Sequence, residues 1–330
     1  MSERAGILLV GGFGTRLQPM TFTTPKPMLN VAGHPFTEHQ IIKAREAGIT
    51  QIVLATAFKA ELFEPYFGDG SRFGISISYA VEKEPLGTGG AIANAAKFLR
   101  GGDDKDLQVA IFNGDVLSGH DLDKQFDFHR EQNADISLYL TRVPDARAYG
   151  AVELDEENRV LAFNEKMENP PTNIINAGCY IFSKKSLELI PQDRVVSVER
   201  ETFPQALASG TRVFGFVDDH YWLDIGTPAA LLKASRDLLS GVAPSDLITT
   251  RAPYWAAADV KVASTSRIFG GSTIDREAEI GEGAIVENSM IGAGARIGNH
   301  VRLVRSFVAG GAYVPDGYIG EGIFFGFPIS

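Results

Sequence analysis

From residue 5 to about residue 240, short β-branched runs alternate with longer stretches in which apolar residues return at helical spacing. The runs at 6–10, 51–56, 109–112, 135–141, 178–182 and 213–217 predict strands, and the stretches at 37–47, 88–99, 122–131, 198–208 and 229–239 predict helices. Strands that alternate with helices require crossover connections, and so a mainly parallel sheet covered on both faces. Such sheets bind ligands outside the carboxyl ends of their strands. Chemistry is therefore sought just after each apolar run.

Beyond residue 260 the helical spacing disappears and apolar residues recur every six positions. Val262, Ile268, Ile274, Ile280 and Val286 form one series; Ile291, Ile297 and Leu303 continue it after a slip of one residue, and Val308 and Val314 after another. Glycine and small residues fill the intervals, as in Ile280-Gly281-Glu282-Gly283-Ala284. A hexapeptide period predicts a parallel β-helix, three hexapeptides to a turn and roughly three turns in all. The competing arrangement is an antiparallel β domain with glycine turns, which does not require the phase to persist for so long. The expected boundary lies at 240–254, where Gly241, Pro244 and Pro253 interrupt the pattern, giving a first domain over 1–243 and a second over 244–330.

Composition narrows the partners. The chain has 330 residues, 44% of them hydrophobic, and a formal net charge of −10 without a block of like charge. An acidic surface argues against nucleic acid, which needs a basic face. It does not argue against a nucleotide, which a few local cations and backbone N–H groups can hold. The single cysteine, Cys179, sits in an apolar run and reads as a core residue. The apolar run Ile7-Leu8-Leu9-Val10 is broken at once by glycines and is too short for a leader or a membrane span. No membrane partner and a cytoplasmic setting are expected.

The first predicted strand runs directly into Gly11-Gly12-Phe13-Gly14-Thr15-Arg16-Leu17. Glycines let backbone N–H groups approach an anion without a Cβ in the way. The loop lacks the Gly-Lys-Ser/Thr ending of a Walker A motif. What adds weight is the cation spacing: Arg16 lies in the loop and Lys26 follows in Thr24-Pro25-Lys26-Pro27, where the two prolines stiffen its backbone.

The run Gly11-Gly12-x-Gly14-Thr15-Arg16-Leu17-x-Pro19-x-Thr21-x-x-x-Pro25-Lys26-Pro27 resembles the signature of the sugar-1-phosphate nucleotidylyltransferases, and among them the mannose-1-phosphate guanylyltransferases. The resemblance spans nearly the whole chain. It implies an α/β fold: a Rossmann-like, mainly parallel mixed sheet forming the nucleotidyltransferase domain, followed by a short left-handed parallel β-helix. It also implies that Gly11, Gly12, Gly14 and Thr15 cradle a triphosphate while Arg16 and Lys26 neutralise charge at the α-phosphorus.

Two aspartates suit Mg²⁺, which takes one or two carboxylates plus phosphate oxygens and water. Asp115 follows a strand in Phe112-Asn113-Gly114-Asp115, and Asp224 lies in the apolar run Tyr221-Trp222-Leu223-Asp224-Ile225. Both match the family's metal-binding pattern; each alone could instead cap a helix or close a turn. The attacking oxygen of a sugar phosphate is already anionic, so positioning and cations suffice and no base is needed. None of the six histidines has metal-ligand spacing with another, and His34 and His39 read as surface residues at a helix entry.

Glu82-Lys83-Glu84-Pro85-Leu86-Gly87-Thr88-Gly89-Gly90 matches the family's second nucleotide loop, with Gly87 and Thr88 opening a helix. By the resemblance Glu82 contacts the base. A carboxylate can accept both adjacent donors of guanine, which favours GTP; Glu82 could equally be an exposed charge at a strand end. For the sugar phosphate the resemblance implies Gly150 after Tyr149, Glu165-Lys166, Asn176 in Asn176-Ala177-Gly178, and Glu199. The acceptor is expected to be mannose 1-phosphate, with a sugar-like cyclitol 1-phosphate such as valienol 1-phosphate as the alternative. The apolar tail Ile323-Phe324-Phe325-Gly326-Phe327 suggests a cap or a homo-oligomer contact made through the β-helix.

Two rival functions stay in view. Hexapeptide proteins can transfer acyl groups, with His300 as a conceivable base, but no long loop interrupts the coils to hold an acyl carrier. A regulatory subunit would bind nucleotide-sugar without making it, and would be expected to lack Arg16, Lys26, Asp115 or Asp224, all of which are present.

Overall fold

The computed structural model describes residues 3–100 and 107–328. The chain forms two compact units: Met1–Gly12 with Gln40–Trp222, and Phe13–His39 with Leu223–Ser330. Each is built around its own apolar interior.

The first unit holds a nine-stranded sheet. Its strands are β1 (Glu3–Leu9), β2 (Gln51–Thr56), β3 (Ser76–Val81), β4 (Leu107–Asn113), β5 (Ile136–Arg142), β6 (Gly150–Leu154), β7 (Val160–Glu165), β8 (Ile174–Ser183) and β9 (Val213–Val217). The order is β7-β6-β8-β4-β1-β2-β3, with β5 pairing to both β8 and β9. Only β7 and β8 run against the other seven, so the sheet is mixed but mainly parallel. At its centre Leu8 pairs with Leu54 on one side and Phe112 on the other. Both faces of this centre are covered, so its strands read as unbroken apolar runs. Ile7, Val53, Val109, Ile111, Leu138, Tyr180 and Phe182 share one core with Ile92 and Phe203.

Three strands of this sheet, β3, β6 and β7, lie outside the predicted runs. They sit at or beside the sheet's ends, where one face meets water and polar residues break the apolar run. The predicted helix over 198–208 is divided into a π-helical turn at Val198–Thr202 and an α-helix at Phe203–Ala208. Pro204 has no N–H to donate back along the helix, which opens the turn before it.

In the second unit the helix Pro228–Ser240 starts at Thr227, whose hydroxyl accepts the Ala230 N–H at 3.2 Å, and stops at Gly241 in the left-handed region, φ 77°. After it come three stacked parallel ladders of five, four and four strands. Tyr254 pairs with Ser272 and Arg267 with Ile285, a coil of 18 residues; thereafter Thr273 pairs with Met290, Glu279 with Arg296, and Phe307 with Phe324, a coil of 17. The slips in the hexapeptide series are this shortening. The five-stranded ladder makes four coil-to-coil steps, one more than the series suggests, because Tyr254–Ala256 begins the ladder without the aliphatic signature.

The interior is a stack of Ile274, Ile280, Val286, Ile291, Ile297, Leu303, Val308 and Val314, all buried. Val262, on the edge strand of its ladder, is exposed instead. A second file runs beside the aliphatic one. Ser272 Oγ accepts the Ser289 N–H at 3.1 Å, and Ser289 Oγ accepts the Ser306 N–H at 3.0 Å.

The segment 13–39 belongs to the same unit. A Cβ on Gly33, φ 90°, would lie 2.1 Å from the Trp255 ring, so only glycine fits there. His39 is not on the surface as its sequence setting suggested. It is buried, its Nε2–H donates to Val31 O at 2.9 Å, and burial pushes its pKa down to about 4. His34 is half-buried, with Nδ1 3.2 Å from Glu38 Oε1.

Ile280→Ala should cost about 2–5 kcal/mol, the usual toll of emptying a packed aliphatic site. Denaturant unfolding followed by circular dichroism measures it. A loss below about 1 kcal/mol would show that the aliphatic stack does not hold the coils.

Candidate active site

The signature loop begins in the first unit and ends in the second. Val10 N–H donates to Ala55 O at 3.0 Å, and a Cβ on Gly11 would come 3.1 Å from Ala57. Gly12 is exposed, and an added Cβ there would meet nothing within 4 Å. In the second unit Gly14 takes φ 62°, and a Cβ there would meet Lys26 Cβ at 2.8 Å and Thr21 at 3.0 Å. Glycine thus lets the Lys26 segment close onto the loop. Gly14 O accepts the Leu17 N–H at 2.9 Å and Thr21 Oγ1–H at 3.0 Å. Lys26 opens a 3₁₀ turn, Lys26–Met28, and Thr37 Oγ1 donates to Pro27 O at 3.0 Å, which ties the turn to the helix Phe36–Glu46. Thr15 and Arg16 are exposed. The Arg16 guanidinium lies against Gly226, where a Cβ would stand 2.7 Å from Nη2. Gly226 follows Asp224 by two residues, and Asp224 is half-buried at the end of the strand Trp222–Asp224.

Asp115 is half-buried, just past β4 in the first unit. The residue before it is pinned: Gly114 N–H donates to Leu9 O at 3.0 Å, and a Cβ on Gly114 would lie 2.2 Å from that oxygen. Opposite the turn, β8 carries a bulge. Its register with β5 breaks between Asn176, paired with Leu140, and Tyr180, paired with Leu138. Gly178, φ 79°, occupies the bulge, and a Cβ there would stand 3.0 Å from Val116 and 3.1 Å from Asn113 Nδ2. Asn176 spends both ends of its amide locally. Oδ1 accepts the Gly178 N–H at 3.1 Å and Nδ2 donates to the Tyr180 hydroxyl at 2.9 Å. Burial pushes the Tyr180 phenol well above its usual range, and the charge of Glu199 adds to that.

The second loop joins this group. Gly87, φ 72°, opens the helix Gly87–Ala96, and a Cβ there would strike Val196 O at 2.6 Å. Thr88 Oγ1 donates to Glu199 Oε2 at 2.8 Å and accepts the Val198 N–H at 2.9 Å. Ser197 Oγ–H donates to the same carboxylate oxygen at 2.9 Å. A predicted nucleotide residue and a predicted sugar residue are therefore in direct contact. Glu82 is half-buried; its Oε2 accepts the Leu86 N–H at 2.9 Å, closing its own loop, and desolvation raises its carboxyl pKa.

A second group lies at the β6–β7 end of the sheet. Gly150 pairs with Glu165 across the two strands, and a Cβ on it would meet Phe163 at 2.8 Å and Glu165 Oε2 at 2.9 Å. Lys166, φ 50°, donates its N–H to Tyr149 O at 3.2 Å, and its exposed Nζ stands 3.6 Å from Glu165 Oε1. Tyr149 meets Trp222 edge to face at 5.3 Å, and Trp222 Nε1–H donates to Ala177 O at 3.0 Å. That contact links the second group to the bulge. Sequence reasoning passed over Asn113, Tyr180 and Trp222. The quoted motifs contain or adjoin all three, but nothing local marks them as linkers.

Cys179 is buried and its thiol is pushed up to about 12, which suits a core residue and not a nucleophile. Among the described residues no three His, Cys, Asp or Glu side chains gather as a self-contained metal cage. Among them, too, no helix is long and apolar enough to cross a membrane.

Gly226→Ala should displace the Arg16 guanidinium while leaving the backbone unstrained. Turnover in the reaction that the sequence resemblance implies is expected to fall by on the order of 10²-fold, the scale set by a misplacement of about an ångström, with little change in Tm. Wild-type turnover in this variant would show that the resting place of Arg16 is immaterial.

Comparison with known proteins places the chain in a family. Residues 5–241 match the nucleotidyl transferase family model. A mannose-1-phosphate guanylyltransferase of Mycobacterium tuberculosis (strain ATCC 25618 / H37Rv) is 47% identical over 293 residues, which is 88% of this chain and 80% of that protein. A mannose-1-phosphate guanyltransferase of Yarrowia lipolytica (strain CLIB 122 / E 150) is 34% identical over 92% of this chain and 90% of its own. Among solved structures, HddC from Yersinia pseudotuberculosis complexed with GMP-PN is 30% identical, with a TM-score of 0.58 over 71% of this chain and 98% of that one. The chain belongs to the nucleotidyl transferase family and, within it, to the sugar-1-phosphate nucleotidylyltransferases.

Proposed function

We propose that this chain transfers GMP from GTP to mannose 1-phosphate, giving GDP-mannose and pyrophosphate. The observation that carries the reading is the 47% identity, over 88% of the chain, to a mannose-1-phosphate guanylyltransferase. The intact signature loop and its packing support it.

A phosphate oxygen of the sugar 1-phosphate attacks the α-phosphorus of GTP, a new P–O bond forms, and the bond to the β-phosphate oxygen breaks. Gly11, Gly12, Gly14 and Thr15 offer backbone N–H groups to the triphosphate, as their glycine-dependent turns favour. Arg16 and Lys26 stabilise charge that grows on the leaving pyrophosphate. Asp115 and Asp224 bring hard carboxylate oxygens, the donor type that Mg²⁺ takes together with phosphate oxygens and water. Bound there, Mg²⁺ would polarise the α-phosphate and neutralise pyrophosphate charge.

Glu82 reads guanine: one of its oxygens already holds the Leu86 N–H, which orients the carboxylate and leaves lone pairs on both oxygens for the two guanine donors. Gly87 and Thr88 shape the same loop. Gly150, Glu165, Lys166, Asn176 and Glu199 receive the sugar phosphate, with Lys166 as its cation. Residues 1–243 act as the catalytic domain and 244–330 as the β-helix domain. Exposed Tyr313, Ile319 and Phe324 on the last coils support self-association through that domain. A cytoplasmic setting suits a reaction that consumes GTP.

The deciding assay is pyrophosphate release from purified protein with Mg²⁺, across four nucleoside triphosphates and several sugar and cyclitol 1-phosphates. Turnover should be greatest with GTP and mannose 1-phosphate, and should vanish on chelation with EDTA and in Asp115→Ala. A pyrimidine triphosphate as the preferred donor would overturn the role given to Glu82. A cyclitol 1-phosphate as the preferred acceptor would overturn the sugar.

A further inference from the structure

Gln40 is a buried glutamine in the helix Phe36–Glu46, far from both predicted loops in sequence. Its Nε2 donates twice, to Asn113 O at 2.8 Å and to Val116 O at 3.3 Å. Those carbonyls bracket Gly114 and Asp115. One helical turn further on, Lys43 Nζ donates to Ser118 O at 2.7 Å and to Ser118 Oγ at 3.2 Å. With Gly114 N–H on Leu9 O, the turn that carries Asp115 is held before, within and after the aspartate.

The orientation of the Gln40 amide is informative. Its Oε1 is buried and finds no donor among the described residues. Burying an unmatched carbonyl is costly, and an apolar side chain of the same length would avoid that cost. The site tolerates the idle oxygen because it needs the two donors. A carboxylate that must meet a cation within a few tenths of an ångström gains from such a clamp, because a hard metal demands near-ideal geometry and outer groups set it.

We propose that Gln40 is a positioning residue: its two-carbonyl grip on the Asn113–Val116 turn presets the Asp115 carboxylate for the divalent cation. The inference rests on the reading of Asp115 as a metal ligand. Gln40 acts through the turn, since its amide nitrogen is spent on the two carbonyls.

The test uses the full-length protein and Gln40→Met, which keeps length and apolar packing but removes both donors. Three quantities are read: Mn²⁺ affinity of the protein by electron paramagnetic resonance, the Mg²⁺ concentration for half-maximal turnover, and amide exchange at residues 114–116. The expected result is a loss of Mn²⁺ affinity and a rise in the Mg²⁺ requirement, each of about tenfold. Exchange at 114–116 should be faster, excess Mg²⁺ should restore most of the turnover, and KM for the sugar phosphate should stay unchanged. A merely structural glutamine would lower Tm and leave the metal dependence alone, and that outcome overturns the proposal. Asp115→Ala separates the two readings. If it destroys the metal response while Gln40→Met does not, the clamp is wrong and the ligand assignment stands. If Asp115→Ala leaves the metal response intact, the ligand assignment fails and the inference fails with it. Should Gln40→Met not fold, Gln40→Glu, the same shape without the amide donors, carries the same measurements.

Discussion

The parallel pairing of β1 with β4 is the constraint on which the first unit's site depends. It sets Leu9 opposite Asn113, so the chain leaves the sheet at two adjacent strand ends. One exit becomes the glycine loop and the other becomes the Asp115 turn. The bond from Gly114 N–H to Leu9 O stitches the exits together, and a side chain at 114 would force them apart. A parallel sheet buried on both faces can hold such a register firmly, because a slip of one residue would exchange the side chains of the two covered faces and break their close packing.

Around that stitch the polar groups form a connected series: Thr88 to Glu199, Glu199 in the electrostatic reach of Tyr180, Tyr180 to Asn176, and Asn176 to the Gly178 bulge beside Asn113. Most of these groups are partly or wholly buried, and a buried polar network rigidifies what it connects when its members are paired. Rigidity is what nucleotidyl transfer needs. The attacking phosphate oxygen is already charged, so the protein contributes placement and charge stabilisation more than proton transfer.

The β-helix meets a different constraint. Each coil must return to the same phase, and two files enforce it: the aliphatic stack and the Ser272–Ser289–Ser306 ladder. Each buried hydroxyl accepts an N–H from the next coil, so a serine spacing of 17 and a coil of 17 residues are the same fact.

Much of this was legible in the sequence. The central strands announced themselves, because burial on both faces demands unbroken β-branched runs. The hexapeptide period gave away the β-helix, slips included, because its phase is written every six residues. The glycine loop with Arg16 and Lys26 could be read because it is contiguous, and such signals depend only on near neighbours along the chain. What stayed hidden depends on partners brought together from a distance. Strands β3, β6 and β7, at or beside the sheet's ends, lack a complete apolar face, so pairing defines them more than composition does. His39 looked like a surface residue until the fold buried it against Val31. The contact between Thr88 and Glu199 joins residues 111 positions apart, and Gln40 reaches Asn113 across 73. Neither separation carries a local signature. The sequence alone determined which segments become strands, coils and glycine turns, since backbone conformation and burial are set by side chains close by. Only the tertiary structure decided which of their polar groups meet, because a hydrogen bond requires two atoms within about 3 Å and no periodicity along the chain encodes that distance.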